Sequence, residues 1–341
     1  MMKTQFGLVL AASLLAAQVH AIEWQALPEK APEPADNPTT PAKVELGKML
    51  FMDPRFSSTG TVSCNSCHNV MEGGDDSRTF SMGVHGKTGG RNAPTVWNSA
   101  FHSVQFWDGR AATLEEQAKG PVANPVEMGM KDVDTAMERV RKIPGYKPYF
   151  DKAFGENAMT VDNAAKAVAA FERTLITPNS PYDNYVKGDK KAMTEQQVRG
   201  MEKFAASGCA ACHSGPAFNG PQMKLGEGYY SKFPTFADNN YVSRYKLADD
   251  KGREEVTGNA ADYGGGGIYN LYCTFTAHNQ WSPYLLLHEL GHNLGLRHNF
   301  VASADRDHKP LEISSTSSSS TPAGTFTVTL SAASSTDTVV T

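Results

Sequence analysis

The sequence predicts a mainly α-helical protein, with two small helical domains, long loops, a short helical segment and a low-complexity tail. Helix-start signals and apolar residues at helical spacing recur between residues 111 and 206. Residues 69–110 are rich in Gly, Asn, Ser and Asp and have little periodicity, which is typical of a loop. From Ser314 onward Ser, Thr, Ala and Val dominate, which indicates a low-complexity tail.

Capping patterns locate the individual helices. Thr113 precedes Glu115 and Glu116, as expected for an N-cap followed by an acidic first turn. Thr194 caps a later helix in the same way. The predicted helices are 44–51, 133–143, 161–175 and 194–208, with a further start at Thr113. Five prolines between residues 22 and 42 predict an extended lead-in.

The overall balance of charge excludes some partner classes. The 341 residues are 40% hydrophobic and 20% charged, enough for a packed core, and the formal net charge is -4. That charge gives no reason to expect nucleic acid or an anionic membrane as a partner.

The N-terminus has the three-part pattern of a secretory signal. Lys3 precedes an apolar run at residues 6–17, and small residues precede a predicted cut before Ile22. The run is too short to span a bilayer comfortably, and no other stretch is long enough. We therefore expect residues 1–21 to be a signal peptide and the mature chain to have no membrane span and to work outside the cytoplasm.

Cysteine spacing carries the strongest chemical signal. Four of the five cysteines form two C-x-x-C-H units, Cys64–His68 and Cys209–His213, and only Cys273 is left over. Two thiols at this spacing can add to the vinyl groups of one haem, and the following histidine then lies under the iron. A single unit could be a zinc knuckle or a redox pair, but two units in an exported chain favour two covalently bound haems c.

The loop after the first unit supplies candidates for the sixth iron ligand. A long loop inside a compact domain is usually functional or wrapped around a ligand. His85 is the first candidate for the distal position, and His102 competes because it is similarly placed.

Residues 22–258 resemble the bacterial dihaem cytochrome c peroxidases. The resemblance lies in the order and spacing of short blocks: 46–48, 51–57, 64–68, 91–95, 106–110, 117, 120–121, 124–129, 171–175 and 208–215. It implies an N-terminal peroxidatic cytochrome c domain at 22–175 and an electron-transfer cytochrome c domain at 176–258, which lacks the family's last helices.

The resemblance also implies roles for single residues. His68 is the implied proximal ligand and His85 the implied distal ligand of the peroxidatic haem, while Cys64 and Cys67 attach it. Cys209, Cys212 and His213 hold the electron-entry haem, Trp107 lies between the haems, Glu127 and Gln117 line the peroxide pocket, and Asn92 contributes to a calcium site.

The implied reaction is reduction of hydrogen peroxide to water in the periplasm. A carboxylate such as Glu127 can take and return a proton, and Gln117 can orient the peroxide. The implied electron donor is a small monohaem cytochrome c or a cupredoxin, and a homodimer is one option for the assembly. No methionine follows Met223, so the family's usual sixth ligand of the second haem has no counterpart and that ligand stays open.

A different motif follows at residues 259–303, before the Ser/Thr-rich tail at 304–341. His288, His292 and His298 match H-E-x-x-H-x-x-G-x-x-H, the zinc-site pattern of metzincin-type peptidases, with Glu289 as the residue that activates water. We therefore predict a zincin-like segment and keep two alternatives to peroxidase function. One is a zinc metalloendopeptidase, and the other is a non-enzymatic dihaem electron-transfer protein.

Overall fold

A computed structural model describes residues 23–220, 226–232, 240–244, 246–262 and 268–270. Helices dominate this part of the chain, as predicted. The α-helices are α1 Pro41–Met52, α2 Cys64–Cys67, α3 Leu114–Gln117, α4 Gly120–Ala123, α5 Val133–Arg141, α6 Lys147–Phe154, α7 Val161–Glu172, α8 Pro181–Val186, α9 Glu195–Ala206, α10 Asn240–Arg244 and α11 Glu254–Thr257. Seven short 3-10 helices and two strands, β1 Tyr230–Lys232 and β2 Ile268–Asn270, complete the described elements.

The N-terminal core forms where α1 packs against α7. Leu46, Leu50 and Phe51 are almost fully buried, and the Phe51 and Phe171 rings meet edge to face with centroids 5.3 Å apart. A Cβ atom on Gly47 would lie 1.9 Å from the carbonyl oxygen of Ala167, so only glycine permits this helix spacing. The close approach holds α1 against α7.

Helix boundaries follow the capping residues. The helix predicted at 44–51 begins earlier, at Pro41, because the Thr40 hydroxyl accepts from the amide of Lys43 and proline suits the first helical position. The helix predicted at 194–208 begins after Thr194 as expected but ends at Ala206. Gly208 then adopts a left-handed conformation, with φ 80°, which is incompatible with continuation of the α-helix.

A second core surrounds α8 and α9. Tyr182, Met201, Phe204 and Phe218 are buried together there. Trp24, from the proline-rich lead-in, packs against three of these aromatic rings with centroid distances of 6.3 to 6.5 Å. The lead-in therefore ties the beginning of the described chain to the second core.

One pairing of strands was not predicted. Tyr230, Ser231 and Lys232 pair antiparallel with Asn270, Tyr269 and Ile268. The residues that this pairing joins are far apart in sequence and show no alternating pattern, so local reasoning missed it. The predicted boundary at 258 falls between the two strands. None of the helices in the described ranges is long and apolar enough to cross a membrane.

Candidate functional site

An open cavity beside α2 holds about 1240 Å³ of space, which includes solvent at its mouth. Its wall contains the first C-x-x-C-H unit together with polar and charged side chains from the long loop, α3, the segment that follows α4 and the end of α7. The lining side chains with polar or reactive groups are Ser63, Cys64, Cys67, His68, Ser81, Arg91, Asn92, Thr95, Ser99, Gln105, Trp107, Arg110, Gln117, Glu127 and Glu172.

His68 is oriented as a metal ligand. Its Nδ1 lies 2.9 Å from the backbone carbonyl oxygen of Pro94. A proton on Nδ1, donated to that carbonyl, leaves the lone pair of Nε2 available for iron, which is the usual arrangement behind a metal-bound imidazole. Burial lowers the pKa of His68, which favours the neutral, ligating ring.

The two thiols of the first unit are suited to covalent attachment. The one-turn helix α2 carries both Cys64 and Cys67, and both line the cavity. Burial raises the pKa of Cys64 to about 12 and that of Cys67 to about 11, so both are protonated at neutral pH. The described part of the chain contains no cluster of three or more His, Cys, Asp or Glu fit to hold a metal ion. The donor set fits a haem that is joined through thioethers.

The predicted peroxide-pocket residues reach the same cavity. Glu127 and Gln117 both line it. Burial raises the pKa of Glu127, while the positive charge of Arg110 opposes this shift. The segment of Glu127 is held in place because its carbonyl oxygen accepts from the amide of Val84, and a Cβ on Gly83 would lie 2.4 Å from that oxygen.

The two candidate distal histidines lie elsewhere. His85 is exposed on the turn Val84–Gly86, with φ 58°, and is not among the residues that line the cavity. His102 is 1% exposed, does not line the cavity either, and burial lowers its pKa to about 3. The assignment of His85 as distal ligand stays a prediction.

Trp107 and Asn92 are brought together at the cavity wall. The indole Nε1 of Trp107 donates to the backbone carbonyl oxygen of Asn92, and the Asn92 side-chain amide donates to the carbonyl of Arg78. Trp107 is only 8% exposed, which keeps its indole out of solvent. Asn92 stays a predicted calcium ligand.

The second C-x-x-C-H unit lies on the α9 side of the molecule. His213 is 3% exposed, and its Nδ1 lies 3.1 Å from the carbonyl oxygen of Phe218, which repeats the arrangement at His68. Cys209 is half-buried and Cys212 is exposed, with the Tyr229 hydroxyl 3.6 Å from its Sγ. The two units thus present the same ligand orientation in two separate cores.

Some cavity residues were not assigned a role from sequence. Arg91, Arg110 and Glu172 all belong to the sequence blocks that carried the family resemblance, but nothing local indicated what they do. Their placement depends on long-range folding. The predicted zinc ligands His288, His292 and His298, and Glu289, lie outside the described residues.

The fold and the cavity define a class: a c-type cytochrome in which a C-x-x-C-H histidine faces a cavity that also holds acid–base and amide groups. Residues 41–191 match the family model described as di-haem cytochrome c peroxidase. Residues 232–312 match a second model, IgA peptidase M64, in agreement with the zincin-like motif.

Curated relatives agree with the first family. The chain is 44% identical over 258 residues to cytochrome c551 peroxidase of Nitrosomonas europaea, covering 75% of this chain and 72% of the relative. It is 42% identical over 254 residues to cytochrome c551 peroxidase of Pseudomonas aeruginosa, covering 72% and 70%.

Solved structures agree on the fold. A MauG-like protein associated with microbial copper homeostasis superposes with a TM-score of 0.63 at 25% identity, covering 82% of this chain and 92% of that one. The dihaem peroxidase BthA from Burkholderia thailandensis has a TM-score of 0.55 at 20% identity, covering 75% and 78%. The chain belongs to the dihaem cytochrome c peroxidase family and is an oxidoreductase of the peroxidase type.

Proposed function

We propose that the chain reduces hydrogen peroxide to water in the cavity next to His68, with electrons that enter through a second haem at His213. The observation that carries this proposal is the cavity itself. One enclosure collects two thiols, an oriented imidazole, an amide and a buried carboxyl group. A purely electron-transferring cytochrome has no need for the last two.

The cavity residues would hold the haem and shape its chemistry. Cys64 and Cys67 would form the thioethers and His68 would ligate the iron. The haem, when bound, supplies the redox chemistry of peroxide cleavage, and the protein supplies ligation, polarity and access. Arg91 and Arg110 bring positive charge to the same wall, which suits the carboxylates of a haem.

Glu127 is proposed to move the proton. Reduction of one peroxide to two waters consumes two electrons and two protons. A carboxylate over the reacting oxygens can take a proton from the near oxygen of peroxide and return it to the far one. Burial raises the pKa of Glu127, which makes its carboxylate a better acceptor for the peroxide proton. The Gln117 amide is proposed to orient the peroxide by hydrogen bonding.

Trp107 is proposed to lie on the electron path. Its indole is buried and borders the cavity. The indole donates a hydrogen bond to the backbone carbonyl of Asn92, the residue after Arg91. The donor is proposed to be a small soluble monohaem cytochrome c or a cupredoxin. The place of action is proposed to be the periplasm, because haem attachment to C-x-x-C-H units follows export. Calcium near Asn92 would need further oxygen ligands from carbonyls or water.

The test is a steady-state assay on the two-haem protein. Hydrogen peroxide should drive oxidation of a reduced small cytochrome c, and a pyridine haemochrome spectrum should report two haems per chain. A protein that carries both haems but oxidises no donor in the presence of peroxide would support the electron-transfer alternative instead.

Zinc endopeptidase activity is a second candidate, favoured by the match of residues 232–312 to the IgA peptidase M64 model. His288, His292 and His298 would bind zinc, and Glu289 would activate its water. Cleavage of a generic peptide that is lost with a zinc chelator and in Glu289→Ala would support it. Cleavage that is unaffected by both changes would exclude this site as its source.

A further inference from the structure

Glu172, the last residue of α7, is a buried acid that the proposed reaction leaves unused. The residue is 5% exposed and lines the haem cavity. Its Oε2 atom is inaccessible and has no hydrogen-bond partner among the residues that the structure describes. An ionised carboxylate in that position would be costly, because a buried charge needs a partner.

Arg173, whose positive charge acts on Glu172, already binds another carboxylate, although its buried Nη1 atom has no hydrogen-bond partner among the described residues. Arg173 donates to Oε1 of Glu115 at 2.7 Å, and that oxygen also accepts from Asn37 at 2.6 Å. Arg173 is 4% exposed in its side chain, so it and Glu115 form a largely buried pair. The charge of Arg173 acts on both carboxyl groups but its hydrogen bond goes to Glu115, so the three side chains together are neutral when Glu172 holds a proton.

The other neighbours do not offer Glu172 a counter-charge of its own. Helices α1 and α5 face α7 with hydrophobic side chains, and the thiol of Cys64 comes from α2. Elsewhere on the cavity wall, the ionisable groups are Cys67, His68, Arg91, Arg110 and Glu127. Burial raises the pKa of Glu172 to about 8, with Arg173 opposing the rise and Glu115 adding to it.

We propose that Glu172 is a redox-linked proton site of the haem that the cavity holds. When that haem takes one electron, its iron goes from ferric to ferrous, and the Glu172 carboxylate takes one proton from solvent to become the acid. Oxidation releases the electron and the proton together. The electron comes from the donor of the peroxidase reaction, so the cavity never gains a net negative charge.

The physical reason is the low polarity of the wall. A positive ferric centre favours the carboxylate, and its loss on reduction favours the acid, so the pKa of Glu172 differs between the two states. Over the interval between these two pKa values, one proton accompanies each electron. The reduction equilibrium then changes up to tenfold per pH unit, which is ~59 mV for a one-electron couple.

The test is a spectroelectrochemical titration of the two-haem protein between pH 6 and 9, without peroxide. The inference rests on the proposed function only for the presence of haem, so loss of peroxidase activity leaves it intact. In the wild type, the equilibrium constant for reduction of one haem should fall by up to tenfold for each unit of rising pH. Glu172→Gln should remove this dependence and leave the other haem unchanged.

Matched variants separate Glu172 from other acids. Glu138→Gln removes an exposed carboxylate of α5 and should keep the wild-type profile. Glu172→Asp keeps an ionisable group and should keep a pH-dependent equilibrium with a shifted inflection. If Glu172→Gln does not accumulate with two haems, the shifted inflection of Glu172→Asp tests the proposal instead.

Three results would overturn the proposal. In the first, the reduction equilibrium of Glu172→Gln depends on pH as steeply as that of the wild type. In the second, the reduction equilibrium of Glu172→Asp does not depend on pH. The third is loss of the slope in Glu127→Gln with its retention in Glu172→Gln, which would assign the proton to Glu127.

Discussion

The indole Nε1 of Trp107 donates a hydrogen bond of 2.9 Å to the backbone carbonyl oxygen of Asn92. Their sequence neighbours form a second link between the same two segments. The Arg91 guanidinium binds the carboxylate of Asp108, which is 2% exposed. Arg91 also binds Asp250 at 2.8 Å. Two adjacent links thus hold the cavity loop together and join it to the chain segment that follows the second haem unit.

Removal of Arg91 should therefore destabilise the protein. Arg91→Ala leaves the Asp108 carboxylate paired with Arg110 and removes the ion pair that joins the loop to Asp250. Because Arg91 is 20% exposed and Arg110 remains beside Asp108, the expected cost is about 1–3 kcal/mol. Thermal unfolding should show a clear drop in Tm. The control Arg199→Ala removes an exposed pair with Glu195 at 3.7 Å and should change the stability by less than about 0.5 kcal/mol. Equal shifts in the two variants would contradict the role of Arg91.

Each C-x-x-C-H unit should carry one haem. Export in a host that matures c-type cytochromes should yield two haems per chain that survive denaturation, because thioether bonds are covalent. Cys64→Ser and Cys209→Ser should each weaken one attachment, measured by pyridine haemochrome assay and mass. Ser66→Ala in the same turn leaves both thiols and is the control. Native protein without covalent haem would contradict this prediction.

Glu127 should matter for turnover and not for haem binding. Glu127→Gln keeps the size of the side chain and removes its proton chemistry, so peroxide reduction should slow by about a hundredfold or more. The optical spectrum should stay that of the wild type. Glu116→Gln, an exposed change on α3, should leave the rate unchanged. An undiminished rate in Glu127→Gln would remove this carboxyl group from the mechanism.

Glu172 should make stability depend on pH. Its pKa is about 8 in the folded protein and ordinarily 4.5, so the folded state binds an extra proton between these two pH values. The free energy of unfolding contributed by this group is therefore greatest at or below pH 4.5 and falls as pH rises to 8. Between these two pH values, the equilibrium constant for unfolding rises by up to tenfold for each pH unit. Denaturant titrations of Glu172→Gln should show a flatter profile than the wild type over this range, while a parallel profile would contradict the shifted pKa.

Local patterns in the sequence determined most helix starts and the residues that would attach the haems. The caps at Thr113 and Thr194 set helix starts because a side-chain hydroxyl reaches an amide three residues on. The C-x-x-C-H units likewise place two thiols and an imidazole within little more than one turn, so the spacing alone indicates haem attachment. These features need no distant partner.

Only the tertiary structure decided which distant groups share the cavity. Arg91 meets Asp250 across 159 positions, and the strand of Tyr230 pairs with that of Asn270 across 40. Glu172 becomes an acid with a raised pKa only because α1, α3 and α5 pack around the end of α7 and remove water from it. Such properties depend on burial and on contacts between remote segments, which spacing along the chain does not encode.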